Sequence, residues 1–191
     1  MVYGYTTLAA WFFAPQDAEM GLAQVQTESG ADGAPCVPLT AIRPAATPVD
    51  ISSAVVACAE AGQIEMAADL FMLMLARAHF DTARVTDPSA HAALGALSHV
   101  TFDRTFQRAG PRAEELQAQL SARGEQEADG PLPICAALWE TGLPQHDPAY
   151  MVNHGMGAFQ EGGPPPLRED FDAEAAWQAT LTEYLNCAPA P

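Results

Sequence analysis

Apolar residues repeat at helical spacing along most of the chain after residue 50, and the clearest example lies between residues 63 and 79. There the apolar side chains recur every three or four positions, so a helix would carry them on one wide face. An apolar surface this broad predicts a helix in the centre of a bundle. Its members are Ile64, Ala67, Ala68, Phe71, Met74, Leu75 and Ala78, with Leu70 and Leu73 beside them.

The residues before this central helix predict a partner for it. Asp50 is suited to cap a helix over residues 51–61, because a carboxylate at this position accepts hydrogen bonds from the first free backbone amides. Gly62 is suited to end that helix. The two helices would therefore form a hairpin.

Two longer helices are predicted next. Asp87 and Pro88 have the composition of a helix start, and Gly110 is placed to end the helix. Its inward residues would be Leu94, Leu97, Val100 and Phe102. The segment 111–124 begins with proline and acids, and its narrow apolar stripe predicts a surface helix. That stripe consists of Ala113, Leu116 and Leu120.

Shorter segments complete the pattern. Residues 130–142 predict a short buried helix that ends at Gly142. Asp147 and Pro148 have the composition of a helix start, as Asp87 and Pro88 do, and predict a helix over residues 149–159. Gly155 and Gly157 would weaken this second helix. Residues 161–170 contain three consecutive prolines and are predicted to be irregular. A C-terminal helix is then expected to dock through Trp177, Leu181, Tyr184 and Leu185.

The N-terminal part has a different composition. Residues 29–50 are rich in proline and glycine, and they follow a short predicted helix that begins at Pro15. The predicted fold is therefore all-α: a compact multi-helix bundle of about six to seven helices over residues 50–191, after a Pro-rich, largely irregular N-terminal arm over residues 1–49.

The charge of the chain limits its partners. The formal net charge is −16, and all eight basic side chains are arginines. Phosphate backbones and anionic headgroups are bound by clustered Lys and Arg, so we predict neither nucleic-acid nor membrane-surface binding. The absence of lysine is also typical of a high-GC coding bias, as in many bacterial sequences, but the excess of acids favours a basic protein partner.

The most apolar stretch is not predicted to cross a membrane. Glu65, Asp69 and Arg77 interrupt it, so no charge-free window of about 18 residues remains. The N-terminus has an apolar patch without a positively charged region before it, which favours a cytoplasmic location. A mature exported domain that lacks its signal is the alternative.

The four cysteines allow three pairings, and nothing in their spacing is typical of a zinc site. Cys58 and Cys135 fall in apolar helical runs, which favours buried free thiols. Cys36 and Cys187 lie near irregular segments, where bridges could form without disturbing helices. We expect reduced thiols, in keeping with a cytoplasmic location.

The hairpin around Gly62 resembles a single tetratricopeptide-like helical hairpin, from the repeat family that binds peptides and proteins. Gly62 stands at the turn between the helices, Ala67 at the close helix crossing and Phe71 at the aromatic position four residues later, while Ala54 fits a tight contact on the first helix. Val55 and Cys58 depart from the family pattern. The resemblance covers residues 48–81 without a second copy, and an ordinary αα-hairpin stays open as the alternative.

Histidines supply the candidate chemistry. His99 and Asp103 lie four residues apart on a predicted helix, with His91 two turns earlier. They could form a hydrogen bond in which His99 is a general base and Asp103 is the carboxylate that orients it. A surface ion pair is the alternative. His146, Asp147 and His154, with Cys135 and Glu161 in possible reach, offer metal-ligand types, but their spacing matches no metal motif. We predict no catalytic residue, cofactor or metal site.

An aromatic cluster near the N-terminus is the predicted partner-binding surface, with two acids close behind it. If the arm does not pack against the helical domain, these side chains form an exposed patch suited to burial in a partner. The residues are Tyr3, Tyr5, Trp11, Phe12, Phe13, Asp17 and Glu19.

Together these features predict a non-enzymatic, acidic protein-binding module of the inhibitor, immunity, chaperone or adaptor type that recognises a basic protein partner. One alternative is a structural subunit of a larger protein assembly. Another is a small metal- or His-dependent hydrolase that uses His146, His154 or the His99 and Asp103 pair.

Overall fold

A computed structural model describes residues 35–159 and 165–189, apart from the side chains of residues 127–129. The prediction of an all-α bundle is confirmed: in these ranges the regular structure is helical, with a single β-bridge between Val85 and Leu167. The helices are α1 (Pro48–Glu60), α2 (Ile64–Arg84), α3 (Ala92–Ala109), α4 (Arg112–Asp129), α5 (Cys135–Glu140), α6 (Ala149–Val152) and α7 (Ala173–Ala179). The predicted arm helix from Pro15 and the aromatic cluster lie outside the described residues.

Helices α1 and α2 form the predicted hairpin, which turns at Gly62 with a left-handed φ of 73°. The start of α1 corrects the sequence prediction. Thr47 is the cap: its hydroxyl accepts from the Asp50 amide at 3.1 Å, and the Asp50 carboxylate accepts from the Thr47 amide at 2.9 Å. Pro48 occupies the first helical position, so the helix begins before Asp50.

Helix α2 is the central helix and contacts α1, α3, α4 and α7. The predicted apolar face is largely buried, as expected. The helix also continues beyond residue 79 to Arg84. Asp81 lies in this extension, is buried and pairs with Arg84 three residues later.

Helices α3 and α4 follow the predicted order. Asp87 caps a 3₁₀ turn, Pro88–His91, that leads into α3, and α3 ends at Gly110, where φ is 57°. Helix α4 lies at the surface, as predicted, with Ala113 and Leu116 buried and Leu120 partly so. It continues through Gly124 to Asp129.

The C-terminal segments are short. Helix α5 lies in the predicted position, and α6 ends at Val152 and is followed by a 3₁₀ turn, Met156–Phe159. Asp147 does not cap α6, because Pro148 holds the cap position without a side-chain hydrogen bond. Helix α7 continues into a π-helical turn, Thr180–Tyr184, and docks with Trp177, Leu181 and Leu185 buried, as predicted.

The expectation of reduced thiols is wrong for this structure. Cys36 is bonded to Cys58 and Cys135 to Cys187, so no free cysteine is present. Both bonds join an irregular segment to a helix, which spares the helical hydrogen bonds. The first attaches the segment before α1 to α1, and the second attaches the chain after α7 to α5.

None of the helices within the described ranges has the length and apolar character needed to cross a bilayer. Even the most apolar part of α2 does not qualify, because charged residues interrupt its apolar run.

Candidate functional site: a buried polar cluster, exposed carboxylates and a cleft

A buried polar cluster lies at the C-terminal end of α2 and is centred on Asp81, which has no exposed surface. His146 Nε2 lies 2.9 Å from Asp81 Oδ2, and the Tyr150 hydroxyl donates to the same oxygen at 2.9 Å. Arg84 Nε donates to Asp81 Oδ1 at 2.9 Å. Three different side chains therefore compensate the desolvation of one carboxylate.

Arg84 connects this cluster to its surroundings. Its Nη2 donates to the His146 carbonyl at 2.8 Å, and its guanidinium lies 5.1 Å from the centre of the Phe80 ring. Burial, the adjacent charge of Asp81 and the hydrogen bond to that carboxylate raise the pKa of Tyr150 well above its ordinary value. The hydroxyl is a permanent donor at neutral pH.

Arg77 lies one turn before Asp81 and is also fully buried. Its Nη1 donates to the carbonyls of Arg43, at 3.0 Å, and of Ala46, at 2.5 Å, in the segment before α1. Its Nε and Nη2 have no hydrogen-bond partner in the described structure. Burial lowers the pKa of Arg77 to about 10, although the charges of Asp81 and Asp50 oppose this, so the group stays cationic at neutral pH.

The cluster fastens the segment before α6 to helix α2, and Arg77 fastens the segment before α1 to the same helix. The Asp81 oxygens and His146 Nε2 are already engaged, and neither side chain reaches solvent.

Further arginines are also engaged within the chain. Arg108 pairs with Glu60 at 2.8 Å, and Arg112 donates to the Glu60 carbonyl. Arg123 lies 2.5 Å from Asp69, and its other terminal nitrogen donates to the Glu65 carbonyl at 3.3 Å. These contacts fasten α3 and α4 to the hairpin and engage all three guanidinium groups within the chain.

The carboxylates outnumber the arginines and are mostly exposed. Among the acids whose side chains are described, Asp81 alone is buried. The exposed acids are Glu65, Asp103, Glu114, Glu115, Glu125, Glu140, Asp147, Glu169, Asp170, Asp172, Glu174 and Glu183.

A cleft of about 430 Å³ lies between the start of α2, the second half of α4 and the segment that leads into α5. One wall is polar and contains Glu65, Asp69, Gln119, Arg123 and Gln126. The other wall is apolar and contains Leu132, Pro133, Ile134 and Ala137. Because Arg123 already pairs with Asp69, Glu65 supplies the unpaired charge of this cleft.

The histidines selected from the sequence do not form a common site. His99 and Asp103 are both exposed on α3, and no hydrogen bond joins them. His146 is buried against Asp81, whereas His154 and Asp147 are exposed. Cys135 is in a disulfide, and Glu161 lies outside the described residues. In the described part of the chain, no three metal-ligating side chains are gathered in a group.

Sequence reasoning missed the Asp81 cluster and the cleft. The signal for the first was present, since Arg77, Asp81 and Arg84 recur at helical spacing inside an apolar run. The partners His146 and Tyr150 lie 65 and 69 residues away from Asp81, so only the fold brings them together.

Comparison with protein-family models, curated proteins and solved structures finds no match for this chain.

Proposed function

We propose that this protein is a non-enzymatic binding module that recognises a basic protein partner. The observation that carries the proposal is the large excess of exposed carboxylates over exposed arginines in the described part of the chain. Most arginines are also engaged by carbonyls or carboxylates of the same chain. A surface of this kind attracts cationic partners and repels anionic ones.

The cleft is the proposed contact for a basic side chain of the partner. Lysine and arginine have an apolar stem and a cationic end, and such side chains bury the stem while the charge stays in contact with polar groups. The apolar wall of Leu132, Pro133 and Ile134 suits the stem, and Glu65 suits the charge. The volume of the cleft is sufficient for a long side chain with part of its backbone.

The structural-subunit and hydrolase hypotheses remain alternatives that no described contact favours. A hydrolase that uses His146 would first have to release this side chain from Asp81. His99 and Asp103 would have to form a hydrogen bond that they lack in this structure.

The test compares two labelled peptides of equal length, one of alternating arginine and serine and one of alternating glutamate and serine. Fluorescence anisotropy measures their dissociation constants with the intact protein. We expect the arginine peptide to bind at low salt and the glutamate peptide not to bind, because their charges are opposite.

Two matched variants locate the contact. Glu65→Gln should weaken binding of the arginine peptide about two- to fivefold, which corresponds to the loss of one exposed ion pair. Glu183→Gln removes an exposed acid of the turn Thr180–Tyr184, which does not line the cleft, and should have a smaller effect. Equal binding of the two peptides would overturn the proposed function, whereas equal effects of the two variants would remove the cleft as its site.

A further inference from the structure

The turn of residues 85–89, between α2 and α3, holds two later segments of the chain. The Asp87 carboxylate accepts from the Gly157 amide at 2.7 Å, and the Ser89 hydroxyl accepts from the Met156 amide at 2.8 Å. On the other side, the Thr86 amide donates to the Pro166 carbonyl at 3.1 Å. The 3₁₀ turn Met156–Phe159 and the strap of residues 165–168 are thus both fixed to the same five residues.

The first of these segments is closely packed under its backbone. A Cβ atom at Gly155 would lie 2.5 Å from Asp87 Oδ2 and 2.8 Å from the Ala90 Cβ, and one at Gly157 would lie 2.8 Å from Asp87 Oδ2. Glycine is therefore required for the backbone to approach Asp87 this closely. Hydrogen bonds from the Ser89 hydroxyl and from the Gly157 and Ser89 amides lower the pKa of Asp87, so the carboxylate keeps this role at neutral pH.

Although its backbone is fixed, this region exposes large apolar side chains. Met156 is 64% exposed, Phe159 79% and Leu167 38%. We call these three residues, which lie on the two segments held by the turn of residues 85–89, the apolar patch. A pre-organised backbone lowers the entropic cost of binding, and exposed aromatic and methionine side chains are common energetic centres of protein interfaces.

The charge around the patch determines which occupant fits. Glu169, Asp170 and Asp172 follow Leu167 in the chain and are exposed, with Arg168 as the single cation among them. A second copy of this chain would bring its own net charge of −16 to an acidic border and would be repelled. A segment with an apolar face and basic flanks would satisfy both the patch and its border.

We propose that the apolar patch binds an amphipathic, lysine- or arginine-flanked segment of a partner protein. Phe159 and Met156 insert into the apolar face of that segment, and Glu169 and Asp170 contact its basic flanks. This inference deepens the proposed function and rests on it, since the same basic partner would use both the acidic surface and the patch.

The test uses an amphipathic helical peptide of leucine and lysine and a lysine–serine peptide of equal length and charge. The Met156→Ser/Phe159→Ser double variant should weaken binding of the leucine–lysine peptide about tenfold or more, as loss of a central apolar contact does. It should leave the affinity for the lysine–serine peptide unchanged. The control is Phe106→Ser, which removes another exposed aromatic, 61% exposed, on α3; it should leave both affinities unchanged.

A measurement on the unaltered protein accompanies the variants. In methyl NMR of the seven methionines, the Met156 signal should shift when the leucine–lysine peptide is added, while that of the buried Met74 should not. If the leucine–lysine peptide binds with equal affinity to the double variant and the Met156 signal stays in place, the patch is not its site. Because the lysine–serine peptide reports the charge interaction alone, failure of that peptide to bind would count against the proposed function instead.

Discussion

Asp81 shows how a single buried residue organises distant parts of this chain. Its carboxylate binds Arg84 within α2 and His146 and Tyr150 beyond α5. A buried ion pair is a weak source of net stability, but removal of one partner leaves the others without compensation. The cluster therefore makes the structure sensitive to substitutions at this position.

Asp81→Asn should lower the free energy of unfolding by about 3–5 kcal/mol, because it removes the negative charge that compensates the largely buried Arg84. Chemical denaturation monitored by circular dichroism measures this change. Asp103→Asn on α3 is the control, and it should change stability by no more than about 0.5 kcal/mol because Asp103 is exposed. Similar effects of the two substitutions would show that Asp81 does not have the proposed structural role.

The raised pKa of Tyr150 predicts that the stability of the folded protein decreases at alkaline pH. The folded protein raises the pKa of this hydroxyl above its ordinary value of 10.0. Above about pH 10 the unfolded chain therefore loses the proton while the folded chain keeps it, and stability falls as pH rises.

The comparison with Tyr150→Phe isolates this effect, because Arg77 titrates in both proteins. The native protein should be more stable by about 1.5–3 kcal/mol at neutral pH, since a hydrogen bond to a buried carboxylate is lost in the variant. This advantage should shrink above about pH 10. An advantage that stays constant to higher pH would contradict the assignment.

At the scale of elements, the interiors of the helices could be predicted from the sequence and several of their ends could not. The apolar period predicted α2, which is buried on most sides between residues 67 and 81, and the C-terminal segment that docks through Trp177, Leu181 and Leu185. The end of α2 was predicted five residues too early, since the buried Asp81 has no apolar signature. The start of α1 depended on Thr47, whose role requires a reciprocal contact with Asp50.

Two glycines offer a matched test of how elements are packed. Gly155→Ala should destabilise the protein by about 1–3 kcal/mol, because the added Cβ meets Asp87 and Ala90. Gly124→Ala in α4 meets nothing within 4 Å and should stabilise the protein by up to about 1 kcal/mol through helix propensity. Thermal unfolding measures whether each variant is less or more stable than the native protein. Destabilisation by Gly124→Ala would contradict the helical environment of that residue.

At the scale of the whole molecule, the disulfides attach both ends of the described chain to helices. Cys36–Cys58 joins residues 22 apart in sequence, and Cys135–Cys187 joins residues 52 apart. On the chain-entropy account, the two crosslinks contribute about 3 and about 4 kcal/mol, because the longer loop restricts the unfolded chain more.

Replacing both cysteines of one disulfide by alanine, in two separate variants, tests which disulfide contributes more to stability. Cys135→Ala/Cys187→Ala should lower stability somewhat more than Cys36→Ala/Cys58→Ala, and a reductant should lower the melting temperature of the native protein. Thermal unfolding with and without dithiothreitol provides the measurement. An unchanged melting temperature under conditions that reduce both bonds would contradict a structural role for them.

The acidic character of the surface could be predicted from the sequence, but the location of the cleft and of the apolar patch could not. The net charge indicated a basic partner, and this inference required only the composition. The cleft depends on Asp69 and Arg123, which lie on different helices, and the apolar patch depends on glycines that approach Asp87 from about 70 residues away. Pairings of this kind follow from the fold, so the sequence pattern alone did not reveal them.

The most direct test of the central claim is the salt dependence of peptide binding by the intact protein. The dissociation constant of the arginine–serine peptide is measured by fluorescence anisotropy between about 0.05 and 0.5 M NaCl, where screening strengthens strongly. We expect binding at low salt that weakens about tenfold or more across this range. Absence of binding at low salt, or binding that does not change with salt, would contradict it.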